Sequence, residues 1–227
     1  MATPRKIPAV IKEAITHSEG IKSLLIAPKQ KCPRFYPGQF LHLAMDPYDP
    51  SYPWPESRVF SIASSPTSDL IRIIFTVKGD FTKKMYDCLK PWDEVWLKLP
   101  YGDLFQQGHD KTNTIFIAGG TGITPFLSLF NHESFAEYSR PKIYLGFRTK
   151  AYHIYDKEIS ESTNPDLAVT SFYQDTDGVI DINRIFLENG KEASYFISGS
   201  PAMIKNFKKI LIKKGVPPQH VLTDDWE

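Results

Sequence analysis

The residues best suited to chemistry lie in one run, Ile115-Phe116-Ile117-Ala118-Gly119-Gly120-Thr121-Gly122-Ile123-Thr124-Pro125. An apolar stretch ends in clustered glycines, and a proline follows. Glycine lets a backbone turn tightly and approach a bulky anion. The first amides of a helix have no partner within it and are free to donate to that anion. Pro125 suits a first helical turn, where its missing N–H is no loss. A doubly wound sheet places a nucleotide pyrophosphate at such a strand-to-helix turn. The run is not a Walker loop, because no Gly-Lys-Ser/Thr follows, and it is not the dinucleotide fingerprint Gly-x-Gly-x-x-Gly. An ordinary tight turn is the competing reading.

Other chemistry is sparse. The six histidines show no metal-ligand spacing, and no Ser-His-Asp or His-Glu pattern stands out, so no metal is expected. Cys32 and Cys88 are far apart, and a plant-type iron–sulfur centre needs four cysteines, so this chain alone holds none. A disulfide between them is not expected in a reducing compartment. The formal net charge of +1 provides no global field for nucleic acid or an anionic membrane. No stretch approaches the ~18 apolar residues of a membrane span. The N-terminus lacks the apolar core and cleavage site of a secretory signal. A cytoplasmic protein without membrane insertion is expected.

The elements that position the glycine run fall into two halves. Up to about Gly108 the sequence reads as β. Short runs rich in β-branched and aromatic residues predict strands at Ile7–Ile15, Lys22–Ala27, Phe40–Met45, Val59–Ala63, Ile71–Val77 and Glu94–Leu99. Turn signals such as Ser18-Glu19-Gly20, Pro37-Gly38 and Ser65-Pro66 separate them. A helix is expected near Thr82–Leu89, with Thr82 suited to its N-cap. The whole predicts a six-stranded antiparallel β-barrel. After Gly108 strand and helix alternate. Strands are expected at Thr114–Ala118, Lys142–Phe147, Ala168–Tyr173, Ser194–Ser198 and Val221–Leu222. Helices are expected from Thr124 and near Ile154–Ser160, Asn183–Glu188 and Pro201–Lys214. This predicts a doubly wound, five-stranded parallel α/β domain. The expected domains are thus 1–108 and 109–227. In the last helix Met203, Ile204, Phe207, Ile210 and Leu211 share one face. Its lysines, Lys205, Lys208, Lys209, Lys213 and Lys214, read as a solvated face rather than a nucleic-acid surface.

Four motifs in order make the chain resemble the ferredoxin–NADP reductase superfamily, in a compact form without an iron–sulfur module. The first is Arg58-Val59-Phe60-Ser61, similar to the family's Arg-x-Tyr-Ser/Thr flavin motif. The resemblance implies that Arg58 binds flavin phosphate, Phe60 packs against the flavin and Ser61 bonds near its N5. A planar guanidinium fork suits phosphate, and an aromatic ring can stack on a heterocycle. Phe60 stands where tyrosine is commoner, which removes one hydroxyl. The second motif is Lys78-Gly79-Asp80-Phe81-Thr82, where the family sets helix amides on the flavin pyrophosphate. The implied flavin set also takes in Val59 and Thr76. The third is the glycine run, similar to the family's Gly-Gly-x-Gly-x-x-Pro nucleotide loop. It implies Gly119, Gly120, Thr121, Gly122 and Pro125 as binding residues, with Gly102-Asp103-Leu104-Phe105 closing the barrel before it. The fourth is Ser198-Gly199-Ser200-Pro201-Ala202-Met203, which resembles the Cys-Gly-Pro-Pro-x-Met motif beside the nicotinamide. Ser198 replaces the cysteine, and Gly199, Pro201 and Met203 match. The C-terminal Asp224-Asp225-Trp226-Glu227 resembles the family's acidic residue and late aromatic, with Trp226 implied to cover a flavin or adenine face.

The resemblance implies a flavin-dependent NAD(P)H reductase with FAD rather than FMN, and with Ser61 and Ser198 at the reacting centre. Arg148 and Lys150, after the second strand of the α/β half, could meet a nucleotide phosphate. The third strand ends in Ser171-Phe172-Tyr173 with no arginine, which tilts the donor toward NADH over NADPH. Electrons would pass to a separate acceptor: a ferredoxin, a flavodoxin, an oxygenase component or a haem protein. Two alternatives stay open. In one, flavin is a diffusible substrate and free flavin is the acceptor. In the other, the chain is a non-catalytic, nucleotide-binding redox sensor.

Overall fold

The computed structural model describes residues 3–18 and 20–224. Two compact units divide between Asp103 and Leu104, where the sequence placed the boundary after Gly108. Phe105 accounts for the difference. Its ring packs against Phe116, Phe126 and Phe196 of the second unit, at centroid distances of 6.2, 6.1 and 5.0 Å. A turn signal such as Gly108-His109-Asp110 marks local geometry and carries no information about that non-local contact.

The first unit is built from β1 (Arg5–Ser18), β2 (Ile21–Pro28), β3 (Phe40–Ala44), β4 (Ser57–Ser61), β5 (Ile71–Thr76), α1 (Asp80–Cys88) and β6 (Glu94–Tyr101). The six strands pair antiparallel in the order β4-β3-β6-β1-β2-β5. Side chains alternate faces along a strand. Ile7, Ala9 and Ile11 of β1 therefore point inward with Val95, Leu97 and Leu99 of β6, all fully buried. Just beyond β4, the Ala63 amide donates to the Arg72 carbonyl of β5 at 2.8 Å, so the two edge strands meet and the sheet nearly closes. That bond protects backbone groups an open edge would expose.

The start of α1 differs from expectation. The N-cap is Gly79, and Thr82 lies at the third helical position. Its Oγ1 reaches back to accept from the amides of Lys78 (2.8 Å) and Gly79 (3.2 Å). A threonine hydroxyl can cap forward from the N-cap or backward from the third position, and here it does the second.

The second unit runs β7 (Thr114–Gly119), α2 (Thr124–Phe130), β8 (Lys142–Phe147), α3 (Asp156–Ser160), β9 (Ala168–Tyr173), α4 (Ile182–Asn189), β10 (Ser194–Ser198), α5 (Pro201–Lys213) and β11 (Val221–Thr223). Its five strands are parallel in the order β11-β10-β7-β8-β9. The chain leaves β7 toward β8 and returns on the opposite side as β10. Such a reversal opens a crevice at the carboxyl ends of the two strands. A 3-10 turn at Gly120–Ile123, not anticipated from sequence, joins β7 directly to α2. Every residue of α2 is buried, as befits a helix with no polar face. Among the described residues no helix is long and apolar enough to cross a membrane.

His109 anchors the start of this unit. Its Nδ1 lies 2.7 Å from the Gln107 carbonyl and its Nε2 2.6 Å from the Tyr138 hydroxyl. A carbonyl only accepts, so Nδ1 carries the proton. Burial pushes the His109 pKa below its ordinary value, and the same cause lowers His153. The unfolded chain then binds more protons than the folded one as pH falls through about 6.5, and stability is lost in that direction. Urea midpoints should therefore fall between about pH 7.5 and pH 5.5. His109→Gln should flatten part of that slope, with His153 and His42, both pushed down chiefly by burial, supplying the remainder; an unchanged slope would contradict the assignment.

Candidate functional site

In the first unit the sequence brings two separated motifs to one place. Arg58 lies on β4, opposite Leu43 of β3. Its guanidinium carbon sits 4.8 Å over the ring of Phe81, the second residue of α1. Phe81 is buried in the barrel core and so forms a fixed shelf. The amides of Asp80, Phe81 and Thr82 open the helix and have no carbonyl one turn earlier within it to accept from them. A guanidinium fork and a helix N-terminus on one spot form a donor set suited to phosphate. A Cβ built on Gly79 would meet nothing within 4 Å, so the space beside the helix start is open. Lys78 is exposed at the same turn and Thr76 ends β5.

Arg58 also has acceptors of its own. Its Nη2 donates to Glu56 Oε1 at 2.8 Å and its Nη1 to the Ser57 carbonyl at 2.9 Å. Val59 is half-buried and Ser61 is buried. Phe60 belongs to the barrel core, its ring 5.9 Å from that of Phe75.

In the second unit the third and fourth motifs meet across the strand reversal. A Cβ on Gly122 would lie 2.5 Å from the Ser198 carbonyl and 2.7 Å from the backbone of Gly199. Only a glycine permits that approach. Met203, in the first turn of α5, fills the space beside Gly119 and Gly199. Ser200 caps α5, accepting from the Met203 amide at 3.3 Å, and Pro201 begins the helix. Pro125 is buried in the first turn of α2, and the Thr121 carbonyl accepts from the Thr124 hydroxyl at 2.6 Å.

Ser198 is buried, and its hydroxyl donates to Asp224 Oδ2 at 3.2 Å. Asp224 is held there by its own amide, which donates to the Ile197 carbonyl at 3.1 Å. The sequence marked Asp224 only as part of an acidic C-terminus. Its partnership with Ser198 depends on the parallel register of β10 and β11, which no local pattern reveals. Trp226, the remaining C-terminal candidate, lies outside the described residues.

Arg148 is exposed after β8, on the side of β7 away from β10. Beside it the sequence missed an aromatic group. Phe147 stacks on His153 at 4.6 Å, and His153 Nδ1 meets the Tyr173 hydroxyl at 2.8 Å. His153 Nε2 is 3.2 Å from Asp156 Oδ1, without hydrogen-bond alignment.

Two glycine substitutions separate the constraints. Gly122→Ala forces backbone against backbone and should lower unfolding free energy by about 1–3 kcal/mol. Gly120 faces open space at φ +55, so Gly120→Ala meets only the left-handed penalty of about 1–2 kcal/mol. Gly120→Asn should recover much of that loss, and no residue should rescue position 122. Denaturant titration of the three variants reads the difference.

Residues 116–209 match the family described as oxidoreductase NAD-binding domain. A flavohemoprotein of Bacillus subtilis (strain 168) is 24% identical over 94% of this chain and 57% of its own length. The reductase component of propane 2-monooxygenase from Mycolicibacterium smegmatis is 27% identical over 85% of this chain and 59% of its own length. The chain thus spans less than two thirds of either relative. The ferredoxin reductase in carbazole 1,9a-dioxygenase superposes with a TM-score of 0.79 at 20% identity, covering 99% of this chain and 70% of that one. A ferredoxin NADP+ reductase from Neisseria gonorrhoeae with bound FAD and NADP gives 0.77 at 17% identity, covering 95% and 93%. An antiparallel six-stranded barrel followed by a five-stranded parallel sheet is the fold these structures share with the chain. The chain thus matches an oxidoreductase NAD-binding domain over residues 116–209 and shares its two-domain fold with these ferredoxin reductases.

Proposed function

We propose that the chain is a flavin-dependent NAD(P)H reductase that passes electrons to a separate acceptor. The observation that carries this reading is the convergence of Arg58 on the N-terminus of α1, a phosphate cradle in a barrel that precedes an NAD-binding domain. FAD is the proposed flavin. Arg58 and the amides at the start of α1 would hold its phosphates, with Thr76, Lys78, Gly79 and Thr82 lining the turn. Bound flavin would supply the chemistry, accepting a hydride and releasing electrons. Ser61 is the proposed donor to flavin N5. Gly119, Gly120, Thr121 and Gly122 would receive the nicotinamide nucleotide's pyrophosphate. Ser198 would face the nicotinamide, oriented by Asp224.

NADH is the proposed donor. A 2′-phosphate needs cations, and the turn after β9 reads Gln174-Asp175-Thr176-Asp177. Two carboxylates there would repel the extra phosphate of NADPH, leaving Arg148 and Lys150 as the only basic residues proposed for that end of the nucleotide. For the acceptor, the printed names of the relatives point toward oxygenase components and haem proteins. A second reading, in which flavin is a diffusible substrate, is favoured by the Glu56 carboxylate already bonded to Arg58.

Anaerobic absorbance before and after adding each nucleotide tests the reading. A bound-flavin band that bleaches, faster with NADH than with NADPH, is expected. A colourless protein that reduces added flavin would favour the second reading. A protein that neither binds nor reduces flavin would leave the redox-sensor alternative.

A further inference from the structure

Arg58 is the cation of the flavin cradle best shaped for phosphate. It is also occupied. Glu56 stands just before β4 and Arg58 is the second residue of that strand, and the two side chains meet in an ion pair. Glu56 Oε1 takes the Nη2 proton at 2.8 Å, while the Ser57 carbonyl takes one from Nη1 at 2.9 Å. Phosphate is gripped best by two parallel N–H groups of the guanidinium fork. An incoming phosphate must therefore share Arg58 with a carboxylate or displace it. Asp80 adds a second carboxylate to the first turn of α1.

We propose that Glu56 is an internal competitor for flavin phosphate and determines how tightly this chain holds phosphorylated flavins. The proposal rests on the flavin-binding reading above and deepens it. Both side chains are about half exposed or more, at 48% for Arg58 and 66% for Glu56. Their ion pair is therefore a weak one, worth about 0.2–1 kcal/mol in water. Competition of that size leaves flavin binding intact and makes it readily reversible. It sets a modest barrier to retention, not a block. The carboxylate acts only on the phosphate end of the ligand, since Arg58 and the helix amides are the groups it contests. The isoalloxazine of an unphosphorylated flavin is outside its influence.

The test is equilibrium binding of the flavin-free protein and its Glu56→Gln variant to FAD, FMN and riboflavin, read by quenching of flavin fluorescence. Glutamine keeps the length of the side chain and removes its charge. The variant should bind FAD and FMN about 1.4-fold to fivefold more tightly, the range that such an ion pair corresponds to. Riboflavin, which has no phosphate, should bind both proteins equally. Inorganic pyrophosphate should displace FAD from the variant at a lower concentration than a simple gain in FAD affinity alone would require, because it gains the same arginine. Equal FAD affinities in the two proteins would overturn the proposal while leaving the flavin-binding reading in place. So would riboflavin binding that tightens as much as FAD binding, since that would locate the effect away from the phosphate. Failure of both proteins to bind any flavin would overturn the flavin-binding reading itself, and this inference with it.

Discussion

The second unit depends on one close approach. The backbone at Gly122 lies so near the Ser198 carbonyl and Gly199 that even a methyl group could not fit between them. That approach exists because β7 pairs in parallel with β10 on one side and β8 on the other. The register Ile117↔Ile197 and Ala118↔Ser198 brings the two strands to an end together. Both turns then emerge at the same level, one leading through a 3-10 turn into α2 and the other into α5. The aromatic layer below fixes this level. Phe116 on β7 lies face to face with Phe196 on β10 and edge-on to Phe126 and Phe130 of α2. Interiors packed at crystal-like density resist sliding, so a shift of either strand would have to disturb the whole layer.

The first unit reaches a comparable end through a different device. Its barrel nearly closes where the Ala63 amide donates to the Arg72 carbonyl and the Arg72 amide to the Ser64 hydroxyl, and this holds the end of β4 in place. Phe81 is the residue that links strand to helix. Below, it is part of the barrel core; above, it carries the guanidinium of Arg58. Anchoring a charged group over a buried ring reduces the freedom it would lose on binding a ligand. The cradle is thus partly assembled before any phosphate arrives, even though Glu56 shares its cation.

Much of this was legible in the residues. Inward alternation along Ile7, Ala9 and Ile11 and along Val95, Leu97 and Leu99 announces half-buried strands. The glycine run and the 201–214 helix announce the α/β half. What escaped had non-local causes. Phe105 belongs to the second unit because of rings far along the chain. Asp224 meets Ser198 only through the β10–β11 register. The Phe147–His153–Tyr173 group forms from three positions on different elements. The Glu56–Arg58 pair is a different case. Two oppositely charged residues spaced by two at a strand are a local signal, and it was available in the sequence. Thr82 was recognised as a capping residue, but a hydroxyl there can act in either direction, and only the backbone of Lys78 and Gly79 decides which.

The two turns proposed to bind anions differ in how they would hold charge. The first would use a guanidinium together with helix amides, and the Glu56 carboxylate stands beside it. The second, across 114–125 and 197–203, contains no lysine, arginine or histidine. It can offer only neutral donors, backbone amides and the hydroxyls of residues such as Thr121 and Ser198. Amides are neutral, so they neither recruit competing anions strongly nor depend much on ionic strength. They demand an accurate fit, which explains why the glycine backbone there is so tightly constrained. A cation-based cradle tolerates looser geometry but responds to any neighbouring charge. In this chain the site built on charge is the one whose strength a single carboxylate can tune. The site built on backbone is the one a single methyl group can break.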